Sequence, residues 1–128
     1  MSEPVWIIKS ALLRLHDAQL AEHGGIRGVN EDLLESALNC ARQKFYYSDT
    51  TLPLLAAAYG FGLCRNHPFK DGNKRAALIA MRLFLMANSY DIAVDKAEKY
   101  QTIMRLADGE MSEEQLGEWI VAHMVARG

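Results

Sequence analysis

Apolar residues recur at helical spacing along most of this chain, and the breaks between apolar runs carry helix-end signals. From Trp6 to about His23, the positions Ile8, Leu12, Leu15 and Gln19/Leu20 recur at helical spacing, and the run His23-Gly24-Gly25 supplies a stop. After the loop IRGV, Asn30 can cap a second helix carrying Leu33, Leu34, Ala37, Leu38 and Ala41. The cluster of Ser, Asp and Thr in KFYYSDTT predicts its break. Thr51 can open a third helix with Pro53 in its first turn, where a missing N–H is harmless. That helix, LPLLAAAYGFGLCRN, is apolar nearly all round and is expected to be buried, as is a fourth from Ala76 to Asn88. Asp95 with Glu98, and Ser112 with Gln115, read as capping boxes for two further helices. The fifth runs to about Ala107; the last is amphipathic through Leu116, Trp119, Ile120, His123 and Met124. Only YDIAV alternates as a strand would. The pattern predicts an all-α, compact single domain over residues 1–128 with about six helices, two of them central.

Composition narrows the class. A chain of 128 residues fits one domain, and 50% hydrophobic with 23% charged residues is too apolar for disorder. A net charge of −2 removes the usual electrostatic argument for direct nucleic-acid binding. No apolar run is long enough to span a bilayer, and the early stretch PVWIIKSALLRL is interrupted by Lys9 and Arg14 and lacks a small-residue cleavage site. Cys40 and Cys64 stand without metal-type spacing, as free thiols in a reducing cytoplasm would. A cytoplasmic domain with no membrane partner is expected.

The candidate chemistry sits between the two apolar helices, in NHPFKDGNKR. A helix N-terminus presents unpaired N–H groups and about half a positive charge, which makes it an anion site. Gly72 lets the backbone turn sharply and approach a ligand closely. Lys74 and Arg75 add cations at the end where the helix dipole disfavours them, so an anion such as phosphate should offset them. Asp71 is the one carboxylate there, and a carboxylate beside a phosphate chain commonly holds a bridging Mg²⁺. His67 supplies a histidine, the residue type suited to accepting a proton near neutral pH. Together they suit phosphoryl or nucleotidyl transfer.

Each residue also has a plainer role open to it. Asp71 can be an N-cap, His67 a loop histidine bonded to a carbonyl, Asn73 a turn residue, and Lys74 with Arg75 a solvated first turn. Phe69 reads as a plug anchoring the loop in the core under either account, and Pro68 stiffens it.

The ordered string HPFKDGNKRAA resembles the signature loop of the Fic/Doc family, HxFx(D/E)(G/A)N(G/K)R, and the likeness extends upstream to LHDAQLAEHGGIRGV and DLLESAL. Within that family the chain resembles the short death-on-curing (Doc) toxins, which are paired with a small antitoxin. The resemblance implies a compact helical fold and the use of ATP with Mg²⁺. It makes His67 the base that activates a hydroxyl of a target protein, Asp71 the Mg²⁺ ligand, and Asn73 with the N–H groups around Gly72 the anion hole. Arg75 becomes a phosphate ligand, and Arg65, two residues before the histidine, a further phosphate contact.

Two departures bear on the chemistry. AMP-transferring Fic proteins read GNGRxxR, whereas Lys74 stands here at the second glycine and Leu78 at the last arginine. A lysine fills the space that lets phosphates lie against the backbone. In Doc proteins this lysine accompanies a reversed nucleotide that offers its γ-phosphate, which makes the protein a kinase. The implied target is a threonine of elongation factor Tu, and the implied outcome is arrest of translation. HPF and Gly72 look more Fic-like, which keeps AMP transfer as an alternative; a non-catalytic antitoxin-binding module is the third. The inhibitory pattern (S/T)xxxE(G/N) is not found: Ser112 is followed four residues on by Leu116, and Thr102 by Leu106. Restraint is therefore expected from an antitoxin whose disordered tail folds into a helix on a groove of the toxin. The helix surface near His16 and Asp17 is one place for that groove, although bonding within the bundle is the plainer expectation for both.

Overall fold

The computed structural model describes residues 1–127. Six helices appear in order: α1 Lys9–His23, α2 Glu31–Tyr47, α3 Leu52–Asn66, α4 Asn73–Ala87, α5 Lys96–Ala107 and α6 Glu113–His123. Two three-residue strands, β1 Tyr90–Ile92 and β2 Met124–Ala126, pair antiparallel with Ile92 opposite Met124. The all-α expectation holds, and no described helix is long and apolar enough to cross a membrane.

Helix α3 is the axle of the bundle, packed against α2, α4 and α6. Its residues Leu55 to Gly60 are buried without a break because neighbours cover every side, as its lack of a polar face predicted. Small residues make close packing possible. A Cβ on Gly62 would stand 3.1 Å from the Ala37 carbonyl oxygen of α2, and one on Gly60 would press into the Met81 side chain of α4. Phe84 and Tyr59 fill the centre, and Trp6 stacks on Phe84 at 6.1 Å between ring centroids.

Several helix ends follow their sequence signals. Asn30 accepts from the Leu33 N–H, Gly24 (φ 83°) closes α1, and the Ser112–Gln115 capping box is complete in both directions. Others differ. Helix α1 begins at Lys9 rather than Trp6, whose ring is taken into the core instead. Helix α2 continues through Lys44–Tyr47, because Phe45 packs on Trp6 at 5.7 Å and Lys44 pairs with Glu113 at 3.0 Å. The break falls at Ser48. Only half of the Asp95–Glu98 box forms: Asp95 accepts from the Glu98 N–H, while the Glu98 carboxylate turns to His123, 3.4 Å away. Met124 leaves α6 for β2. That exchange is set by tertiary pairing with β1, reinforced by Arg82, whose guanidinium grips Asp91 through two 3.1 Å hydrogen bonds. The Arg82 fork holds the Asp91 carboxyl below the ordinary carboxylate range despite the opposing effect of burial.

Cys40 and Cys64 are free thiols, half-buried. Burial pushes the Cys64 thiol up to about 11, only slightly opposed by Lys74, so it behaves as a small apolar side chain rather than a nucleophile.

Candidate active site

Residues 67–72 turn the chain from the end of α3 to the start of α4. His67 makes the turn in the left-handed conformation, with φ 50° and ψ 56°, while its N–H still donates to the Leu63 carbonyl at 3.2 Å. A β-carbon there costs about 1–2 kcal/mol, and such strain persists only where surrounding contacts impose it. Those contacts come from two sides.

On the core side, Asn73 ties the loop to itself. Its Oδ1 accepts from the Phe69 N–H at 3.0 Å, and its Nδ2 donates to the Phe69 carbonyl at 2.8 Å. This two-way clamp fixes which end of the amide carries the hydrogens. Nδ2 also lies 3.3 Å from His67 Nδ1. Phe69, so held, is buried and stacks on His16 at 3.8 Å between centroids, as a core plug should. His16 is itself buried, and its Nε2–H donates to the Asp71 carbonyl at 2.8 Å. Of the two α1 residues considered for a groove, His16 is thus a buried support of the loop, while Asp17 is exposed.

On the outer side, the segment after α1 runs antiparallel to the loop. The Asn30 N–H donates to Pro68 and the Lys70 N–H to Gly28, bridging Val29 with Phe69. The Ile26 N–H donates to Asp71 Oδ2 at 2.7 Å. Gly25, at φ 133°, allows that approach, since a Cβ there would stand 2.7 Å from Leu20 and 3.3 Å from the Asp71 Cβ. Asp71 is therefore not the N-cap of α4. Gly72 takes that position at φ 78°, and a Cβ on it would meet His16 Nε2 at 3.0 Å.

No side chain caps the α4 N-terminus, and no acidic residue lies in its first turn. Its first intrahelical bond runs from the Ala76 N–H to Gly72, so the N–H groups before it have no partner within the helix. This end opens into a cavity of about 530 Å³, within the range of small-ligand sites. His67, Asp71, Gly72, Asn73, Lys74 and Arg75 all line it. Arg65 does not: its guanidinium lies over the Phe61 ring, 6.0 Å from the centroid. The facing wall comes from Gln19, Leu20 and His23 of α1 and from Tyr100 and Met104 of α5.

Sequence reasoning passed over that wall. Tyr100 and Met104 are four residues apart and lie off the buried stripe of Thr102, Ile103 and Leu106, a second apolar pair on an otherwise polar helix. That pair was the available signal. His23 and Gly25 were legible only as a helix stop, because their place on the cavity wall depends on how α1 packs.

Among the described residues, no group of three or more His, Cys, Asp and Glu is placed to hold a metal ion. A transition-metal centre has no ligand set here. A lone carboxylate suits Mg²⁺, which takes one or two protein oxygens and fills its sphere with water and phosphate. Asp71 fits that use, since Oδ2 is engaged by Ile26 and Oδ1 has no protein donor.

The Asn73 clamp carries a first prediction. In Asn73→Ala the buried N–H and C=O of Phe69 lose their partners, at about 1–3 kcal/mol for each orphaned group. The urea midpoint is expected to fall without a change in slope, and a wild-type midpoint would refute the clamp.

Comparison with known proteins is consistent with this arrangement. The family model described as Fic/DOC family matches residues 6–85. The chain is also 32% identical over 103 residues to "Protein kinase doc" of Escherichia phage P1, covering 79% of this chain and 81% of that protein.

Proposed function

The chain belongs to the Fic/DOC family, and on that premise we propose that it is a Doc-type toxin kinase. It would transfer the γ-phosphate of ATP to a threonine or serine hydroxyl of a translation factor, with elongation factor Tu the expected target, and so arrest translation. The observation that carries this reading is the convergence of His67, Asp71, Lys74 and Arg75 on one cavity at an uncapped helix N-terminus. The relative named as a protein kinase supports the choice of phosphoryl transfer.

In this mechanism the α4 N–H groups, Lys74 and Arg75 offset the negative charge of the triphosphate. His67 accepts the target hydroxyl's proton as that oxygen attacks the γ-phosphorus; the new O–P bond forms while the bond to the bridging oxygen breaks and ADP leaves. His67 is exposed, and among the described residues its one side-chain hydrogen bond, to Asn73, is long. With Asn73 donating, the neutral ring carries its hydrogen on Nε2, so the ring must turn, or take the other tautomer, to face the hydroxyl with a lone pair. Asp71 would hold Mg²⁺, which when bound neutralises phosphate charge and aligns the chain. A cognate antitoxin with a helix-forming tail is the expected partner.

The test uses ATP labelled at the α- or the γ-phosphate, Mg²⁺ and purified elongation factor Tu. Label reaching the factor from the γ position alone is expected. Label from the α position would replace the kinase with AMP transfer and mean that Lys74 does not reverse the nucleotide.

A further inference from the structure

Resting on the nucleotide reading above, we infer that Tyr100 is a positioning residue, which holds Arg75 ready to receive a phosphate. Arg75 lies in the first turn of α4 and Tyr100 in the second turn of α5, and both side chains line the cavity. They meet at the oxygen edge of the phenol. The Arg75 Nε–H donates to the Tyr100 hydroxyl, and the guanidinium carbon lies 5.5 Å from the centre of the phenol ring.

The choice of nitrogen matters. A guanidinium grips a phosphate best with two parallel N–H groups, a fork whose plane must be set before binding if entropy is not to be lost on contact. Tyr100 engages Nε, which leaves both terminal nitrogens for a ligand. No carboxylate competes for them: among the described residues, no salt bridge includes Arg75. Phosphate would therefore not need to displace an internal ion pair. An arginine serving only to fasten α4 to α5 would not need to end at the cavity wall.

Two variants test the contact. Tyr100→Phe keeps the ring and loses the hydroxyl; Tyr100→Leu loses both. Binding of Mg²⁺-ATP and of inorganic tripolyphosphate is measured by calorimetry for each, in the wild-type and the Arg75→Ala backgrounds. Expected is a weakening of about threefold for Tyr100→Phe and at least as much for Tyr100→Leu, the scale of a lost hydrogen bond. In the Arg75→Ala background both effects should vanish, because Tyr100 acts only through that arginine. A merely structural role would weaken binding equally in both backgrounds and would overturn the inference, as would wild-type affinity in Tyr100→Leu. Should the wild-type chain bind neither probe, the nucleotide reading falls and this inference with it. Wild-type binding that ignores Tyr100 removes this inference alone.

Discussion

Replacement of His67 by alanine is expected to lower phosphoryl transfer by about two to four orders of magnitude, the usual worth of a positioned general base, and to leave ATP affinity nearly unchanged. The separation follows from where the groups lie. In the proposed mechanism phosphate charge would be met by the α4 N-terminus, Lys74 and Arg75, all of which belong to the helix, whereas His67 is the cap of the preceding helix. Its ring contributes one 3.3 Å contact to Asn73, while the loop is held by the Asn73–Phe69 clamp and by its bonds to His16, Ile26, Gly28 and Asn30. Alanine also carries a β-carbon, so the strain at φ 50° stays much as it was. The variant should melt close to the wild type, and a lost rate will not be a lost fold. Single-turnover transfer of γ-label, with ATP affinity measured alongside, checks both halves. Near-normal transfer would remove His67 as the base. Loss of ATP binding would instead make it a ligand of the nucleotide.

His67 was legible in the sequence because its neighbours were ordered at fixed spacing; the means of holding it was not. Asn73 looked like a turn residue or a member of an anion hole, yet its amide is occupied by the Phe69 backbone and it is buried. Spacing marked the residue without the direction of its side chain. Helical periodicity fared well where a whole face was apolar, as in α3, and where a cap closed on its own turn, as at Asn30 and Ser112. It failed where a partner distant in sequence decided the outcome. Met124 to Ala126 pair with a strand more than thirty residues earlier, and the Glu98 carboxylate lies toward His123 rather than its own helix end. Tyr100 belongs to the same class: its pairing with Met104 marks a second apolar face on α5, but only the packing of α1 and α4 makes that face a cavity wall.

Asp71→Ala is the complementary case, expected to remove the Mg²⁺ dependence of nucleotide binding and to lower turnover by about a hundredfold or more, since metal neutralisation of phosphate charge is worth several kcal/mol. The carboxylate also has a second duty, because Oδ2 anchors the Ile26 N–H at 2.7 Å and so holds the segment after α1 over the loop. Asp71→Asn separates the two. Its amide oxygen can still accept from Ile26, but it carries no charge to hold a divalent cation. Amide hydrogen exchange at Ile26 should therefore quicken in Asp71→Ala and stay close to wild type in Asp71→Asn. ATP affinity titrated against Mg²⁺ should be flat in both variants and rise with Mg²⁺ in the wild type. If Asp71→Asn kept the wild-type rise, the metal would have to be held by phosphate and water alone, and the carboxylate would be only the anchor of Ile26. If instead both variants lost the Mg²⁺ response while only alanine loosened Ile26, one side chain would be doing two separable jobs: its charge serves the metal, and its geometry keeps the cavity wall in place.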